Sequence, residues 1–196
     1  MLDKQTALVA IKRLAELAQH GQIHLSLTVY GGTVMMLAYD ARPGTKDVDA
    51  IFRPREEILP LIEQVAAELK LDRNWLNDDV KVWVGENEHG ALIPFKELTG
   101  LGPGLSVNRP SAKYLLAMKA RAARLPLPGQ KGDYDDLIYL LRHTQTTTVD
   151  EVDKLVEKYF LQDCLSEKNR AIIESALKDA FPSKKPKGTS PEGPNT

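Results

Sequence analysis

Hydrophobic and polar residues alternate along this chain with two periods, and the changes of period mark its secondary structure. Stretches with apolar residues at i, i+3 and i+4 predict helices. These helices cover residues 3–20, 32–39, 54–71, 111–124, 133–143, 148–160 and 166–180. Short runs rich in Val, Leu and Ile predict strands. The strands cover residues 25–30, 47–52, 80–84, 91–95 and 105–108.

Clusters of Gly, Pro and polar residues predict the connections. Loops or turns are expected over residues 41–46, 72–79, 99–104 and 125–132. Strands and helices alternate only in the first half, and the second half is helical. This order favours an α+β fold over a doubly wound sheet.

The same order suggests a division of the chain. We expect an α/β core with an N-terminal helix over residues 1–109 and a helical region packed on it over residues 110–181. Residues 182–196 are rich in Pro, Lys, Gly and Ser and hold no large apolar residue, which predicts a disordered tail.

Composition narrows the choice of partners. With 42% apolar residues the chain can build a core, and its net charge of −1 gives no general attraction to nucleic acid. The single cysteine, Cys164, excludes an internal disulfide and a Cys-based zinc cluster, and we expect it to be buried. No apolar run approaches the ~20 residues that span a membrane, so the cytoplasm is the expected location.

The strongest chemical signal lies in the first half. Asp47 and Asp49 stand one residue apart on a predicted strand, so both carboxylates should share one face while Val48 turns into the core. Paired carboxylates suit Mg²⁺, which usually sits beside phosphates. Gly31 and Gly32 end the preceding strand and open a helix, where free backbone N–H groups can receive a phosphate. The alternative is a glycine pair needed for packing, followed by a solvent-facing strand edge.

A second signal lies in the helical half. Lys119 stands in an apolar helical stripe, and Asp133 and Asp136 share one face of the next helix. Lys119 could contact a phosphate or extend its stem along the core into water. Asp133 could act chemically or cap its helix. Trp75 and Trp83 are interpreted as core or surface-packing aromatics rather than as base-stacking platforms.

Both signals together resemble the polymerase-beta-type nucleotidyltransferase superfamily, and most closely its branch of AbiEii-type toxins and related bacterial proteins. The resemblance covers roughly residues 25–142. The matching motifs are Tyr30-Gly31-Gly32-Thr33, Lys46-Asp47-Val48-Asp49, Trp75-Leu76-Asn77-Asp78, Leu115-Leu116-Ala117-Met118-Lys119, Arg124 and Asp133-Tyr134-Asp135-Asp136-Leu137.

The resemblance implies a nucleotidyltransferase fold, with a small mixed sheet, flanking helices and a C-terminal helical bundle. It implies transfer of a nucleoside monophosphate from an NTP to a hydroxyl of RNA, such as a tRNA end, or of a protein. Asp47 and Asp49 would hold Mg²⁺, Lys119 would contact the outer phosphates, and Asp133 or Asp136 would orient or deprotonate the acceptor. The remaining matched positions would bind the nucleotide: Gly31, Gly32, Thr33, Lys46 and Arg124.

One departure from the family pattern concerns a third carboxylate, which full polymerase-beta-type enzymes carry on a later strand. Neither 91–95 nor 105–108 contains an Asp or Glu. Three hypotheses follow. The leading one is a Mg²⁺-dependent nucleotidyltransferase, as in the toxin of a toxin–antitoxin pair with a cognate antitoxin. The second is a degenerate module of the same fold that binds nucleotide or a partner without turnover, and the third is a metal-dependent phosphohydrolase.

Overall fold

The structure is a computed structural model that describes residues 1–102, 104–124, 133–161 and 163–182, with only the backbone of His89. The loop predicted over residues 125–132 and all but the first residue of the predicted tail lie outside the described residues.

The fold is α+β, as the order of the elements predicts. Across the described residues there are seven α-helices. They are α1 (Lys4–His20), α2 (Gly31–Leu37), α3 (Arg55–Leu69), α4 (Ala112–Arg121), α5 (Tyr134–Thr144), α6 (Val149–Tyr159) and α7 (Glu167–Ala180). The strands are β1 (Leu2–Asp3), β2 (Leu25–Val29), β3 (Gly44–Thr45), β4 (Val48–Arg53), β5 (Leu76–Asn77), β6 (Leu92–Pro94) and β7 (Leu105–Pro110).

The main sheet has five strands in the order β5-β4-β2-β7-β6, and β1 and β3 form a small separate sheet. Strand β4 runs antiparallel to β2 and parallel to β5, while β2 and β7 are parallel. The sheet is therefore mixed. Strand β4, which follows Asp47 and contains Asp49, is an interior strand held on both sides.

Local sequence signals account for several helix ends. The Thr148 hydroxyl accepts from the backbone N–H of Glu151, and the Glu151 carboxylate accepts from the N–H of Thr148, which confirms the capping box. Asp3 caps α1, and Ser111 caps α4 as predicted. These bonds satisfy N–H groups that have no partner within a helix.

The second half packs on the first. Helix α4 contacts α5, α6 and β7, and α5 contacts α7. Buried apolar residues from both halves form one continuous cluster, which includes Leu27 of β2, Val48 of β4 and Leu116 of α4, each fully buried. Within the residues described, no helix is long and apolar enough to cross a membrane.

Three sequence predictions about the strands were wrong. The strand predicted over residues 80–84 is a 3-10 helical turn, Asp79–Trp83, and the connections predicted over residues 41–46 and 72–79 contain β3 and β5. Val82 is 70% exposed, so its β-branched side chain does not pack on a sheet, and strand preference depends on such packing. The backbone N–H of Val48 bonds to the carbonyl of Trp75 (2.7 Å), which draws β5 to the sheet instead. Cys164 is exposed, contrary to expectation.

Candidate functional site

The two aspartates lie where β4 begins. Val48 is fully buried, as the alternation predicts, and Asp47 and Asp49 flank it in partly exposed positions. Asp49 pairs in register with Asn77 of β5, and the Asn77 side-chain amide donates to the Asp47 carboxylate (3.4 Å). Pairing on both sides of β4 therefore fixes the backbone that carries these carboxylates.

Negative charge is crowded at this end of β4. Burial, reinforced by the charge of Asp47, raises the pKa of Asp49 to about 6. Burial also raises the pKa of Asp47, although the ammonium of Lys46 opposes that shift. The carboxylate of Asp79 raises both pKa values further. A cation bound here would relieve the repulsion between these groups.

The glycine pair allows close contact between α2 and its surroundings. Gly31 has a φ of +60°, and a Cβ at this position would lie 2.7 Å from Asp49 Oδ2. A Cβ at Gly32 would lie 2.6 Å from Thr45 Oγ1 and 2.7 Å from Arg42 Nη1. Only glycine fits both positions without a shift of neighbouring groups.

Thr33 stabilises the backbone at the start of β4. Its side chain is fully buried, and its hydroxyl donates to the backbone carbonyl of Asp47 (3.2 Å). The hydroxyl therefore anchors the segment that enters β4. Gly32 is also buried, whereas Lys46 is exposed.

A cavity of about 240 Å³ joins the two signals of the sequence. Its lining comes from β4, the start of α2, the turn Asp79–Trp83 and the helical half. The polar and glycine residues of the lining are Gly31, Asp49, Asp79, Lys119, Arg124 and Asp133, and the apolar ones are Val80, Trp83, Leu115, Met118 and Ala122. Five of the predicted site residues therefore border one space, although they come from three separate parts of the chain.

Ion pairs fix the position of Lys119. Its ammonium lies 2.6 Å from Asp133 Oδ1 and 2.7 Å from Asp136 Oδ2, and its side chain is 10% exposed. Asp136 is 2% exposed and also pairs with Arg42 (2.8 Å). Asp133 occupies the N-cap position of α5, but its side chain makes no cap hydrogen bond and accepts from Lys119 instead. Lys119 is thus held in place rather than extended into water.

Sequence reasoning missed two residues of this site. Asp79 falls in the predicted turn over residues 72–79, although it directly follows the matched Trp75-Leu76-Asn77-Asp78 motif, which marks its position. Arg42 gave no signal, because it lies in a loop 94 positions before its partner Asp136.

The donor chemistry at β4 fits Mg²⁺. Asp47 and Asp49 offer hard oxygen ligands, and Mg²⁺ is commonly bound by one or two carboxylates together with substrate phosphates and water. Over the described part of the chain, no group of three His, Cys, Asp or Glu side chains is arranged to hold a metal ion.

Comparison of the chain with protein-family models, with curated proteins and with solved structures found no match in any of the three.

Proposed function

We propose that the protein is a Mg²⁺-dependent nucleotidyltransferase that transfers a nucleoside monophosphate from an NTP to a hydroxyl. One observation carries the proposal: Asp49 of β4, Lys119 of α4 and Asp133 before α5 border a single cavity. A carboxylate for a metal, a cation for phosphates and a second carboxylate for an acceptor are the groups that this reaction needs.

At the triphosphate end, Asp47 and Asp49 would hold Mg²⁺. The bound ion would neutralise phosphate charge and orient the triphosphate. Gly31 has no side chain to obstruct a phosphate beside Asp49. Lys119 and Arg124 line the same cavity and supply positive charge.

At the acceptor end, Asp133 is the better placed of the two helical carboxylates. Its side chain is 33% exposed and borders the cavity, whereas Asp136 is 2% exposed between Lys119 and Arg42. We assign Asp133 to accept the proton of the acceptor hydroxyl. The hydroxyl oxygen then bonds to the α-phosphorus, the bond to the bridging oxygen breaks, and pyrophosphate leaves. Asp136 positions Lys119 and Arg42 by ion pairing.

The acceptor in this proposal is a hydroxyl of RNA, such as a tRNA end, or of a protein. A toxin of a toxin–antitoxin pair, restrained by a cognate antitoxin, is the corresponding biological role. Both parts of the proposal rest on the family resemblance of the two motif stretches.

The test is label transfer. The protein is incubated with each α-labelled NTP, Mg²⁺ and total cellular RNA or protein, and labelled macromolecules are separated on a denaturing gel. We expect transfer by the wild type, loss of transfer in Asp49→Asn and retention in Asp40→Asn. Asp40 is the matched control because its side chain is 88% exposed and it does not border the cavity. Transfer that persists in Asp49→Asn would refute the proposed site.

The second candidate is a nucleotide-binding or interaction module without turnover. It is favoured by the ion pairs that already occupy Lys119, because a cation shared by two carboxylates has less charge to offer a phosphate. Measurable NTP binding with no label on RNA or protein would support this candidate against the enzyme.

A further inference from the structure

Trp83 is a partly exposed aromatic side chain at the cavity. The 3-10 turn Asp79–Trp83 directs it to the wall of the cavity, and it is 42% exposed. The other tryptophan, Trp75, is 1% exposed, and its indole N–H donates to the carbonyl of Ile62. Trp75 is therefore a core aromatic, whereas Trp83 lies partly exposed at the cavity.

The ring of Trp83 is supported from one side. The guanidinium carbon of Arg121 lies over the ring, 5.8 Å from its centroid, and 4.8 Å from the centroid of Phe160. Arg121 is itself ion-paired with Asp163. These contacts hold the arginine against the indole, so the ring is backed by a fixed cation while it borders the cavity.

The segment after Trp83 is clamped to the helical half. The backbone N–H of Gly85 donates to the buried hydroxyl of Tyr114 (2.8 Å). A Cβ at Gly85 would lie 2.2 Å from the carbonyl oxygen of Tyr159, so the backbone of Gly85 packs directly against the backbone of Tyr159. The backbone that follows Trp83 is therefore fixed against the helical half.

The lining of the cavity combines two kinds of side chain. Asp49, Lys119 and Arg124 are charged, whereas Trp83, Leu115 and Met118 are apolar. A nucleotide combines the same two kinds of group, a charged phosphate chain and a flat base. Stacking on an aromatic side chain is favourable for every base, because each base has a π-face.

We propose that Trp83 is the stacking platform for the base of the nucleotide that binds in this cavity. The inference rests on the proposed function, since that function supplies the nucleotide. It adds a base-binding residue outside the motif stretches and predicts that all four NTPs bind through the same aromatic contact.

The experiment compares ligands with and without a base. The wild type and Trp83→Ala are titrated in a calorimeter, in buffer that contains Mg²⁺. The titrants are ATP, GTP, CTP, UTP and inorganic triphosphate, and the Kd of each is measured. We expect the substitution to weaken NTP binding by roughly 5- to 150-fold. Binding of inorganic triphosphate should stay the same, and Trp83→Phe should restore most of the NTP affinity.

The matched control is Val82→Ala, because Val82 is more exposed than Trp83 and does not border the cavity. It should bind NTPs as the wild type does. The wild type gives a second measurement that needs no variant at Trp83. Each NTP should quench the fluorescence of the exposed tryptophan, and inorganic triphosphate should not.

The outcomes separate two failures. NTP affinity unchanged in a folded Trp83→Ala variant would overturn the inference and leave the proposed function standing. An equal loss of NTP and inorganic triphosphate would also overturn it, because Trp83 would then shape the phosphate end. A wild-type protein that binds no nucleotide would overturn the proposed function and this inference together.

Discussion

Replacing Asp49 by Asn should make the metal-free protein more stable at neutral pH while it abolishes the activity proposed for it. Burial and the charge of Asp47 raise the pKa of Asp49 to about 6, above its ordinary value of 3.8. Between these two values the unfolded chain has lost the proton that the folded chain retains. The contribution of Asp49 to the free energy of unfolding therefore becomes more unfavourable as the pH rises from about 4 to about 6.

The size of the effect follows from the shift. A difference of about 2.2 pKa units corresponds to about 3 kcal/mol at pH 7 to 8, and to about 0.5 kcal/mol at pH 4. Asn is nearly isosteric with Asp and carries no charge. The free energy of unfolding of Asp49→Asn should therefore exceed that of the wild type by up to these amounts. For a chain of this length, 3 kcal/mol corresponds to a rise of about 6 to 12 °C in Tm.

The assay is urea denaturation followed by circular dichroism in buffer with EDTA, at intervals from pH 4 to pH 8. Asp40→Asn is measured in parallel, because it removes an exposed carboxylate that pairs only loosely with Lys4 (3.8 Å). The free energy of unfolding of Asp40→Asn should equal that of the wild type at every pH. Addition of Mg²⁺ at pH 8 should raise the unfolding midpoint of the wild type and leave that of Asp49→Asn unchanged.

Asp49→Asn and the wild type should differ more in free energy of unfolding at pH 8 than at pH 4. If this difference does not grow with pH, the electrostatic reasoning is refuted. A variant less stable than the wild type at pH 8 would also refute it, because Asp49 would then be stabilised by contacts rather than strained by burial. Stabilisation by Mg²⁺ that survives the substitution would remove Asp49 from the metal site.

Three further substitutions test the groups around the cavity. Lys119→Met leaves the buried carboxylate of Asp136 with one cation fewer and should lower the free energy of unfolding by about 3 kcal/mol, measured by urea denaturation. Gly31→Ala forces a Cβ to within 2.7 Å of Asp49 Oδ2 at a positive φ, and it should lower both Tm and Mg²⁺ affinity, the latter measured by calorimetry. Thr33→Val removes the hydrogen bond to the Asp47 carbonyl and should lower the free energy of unfolding by about 1 kcal/mol.

Each of the first two substitutions has a control on the same chain. Lys113→Met removes an exposed lysine from α4 and should leave stability unchanged; a loss equal to that of Lys119→Met would show that the ion pairs are not the cause. Gly100 has a φ of +85° and open space around it, so Gly100→Ala measures the backbone strain alone, about 1 to 2 kcal/mol. If Gly31→Ala loses no more stability than Gly100→Ala and keeps the Mg²⁺ affinity of the wild type, the close approach of Gly31 to Asp49 has no role.

Local rules determined much of the fold. The helices begin and end close to the predicted residues, because amphipathic spacing and caps such as Thr148 with Glu151 act within one or two turns. The alternation of Asp47, Val48 and Asp49 likewise placed Val48 in the core, since side chains on a strand must alternate. These features depend only on residues that are close in sequence, so they can be predicted from the sequence alone.

Tertiary structure decided how these elements complete a site. The run Val80 to Val84 has strand composition, yet Asp79–Trp83 forms a turn that brings Trp83 to the cavity, and β5 occupies the edge beside β4. The contact between Arg42 and Asp136 spans 94 positions, and no local pattern encodes it. The sequence by itself determined the helices and the carboxylate strand. Only packing at long range determined that Asp49, Lys119 and Trp83 border one cavity, because that depends on how the helical half sits on the sheet.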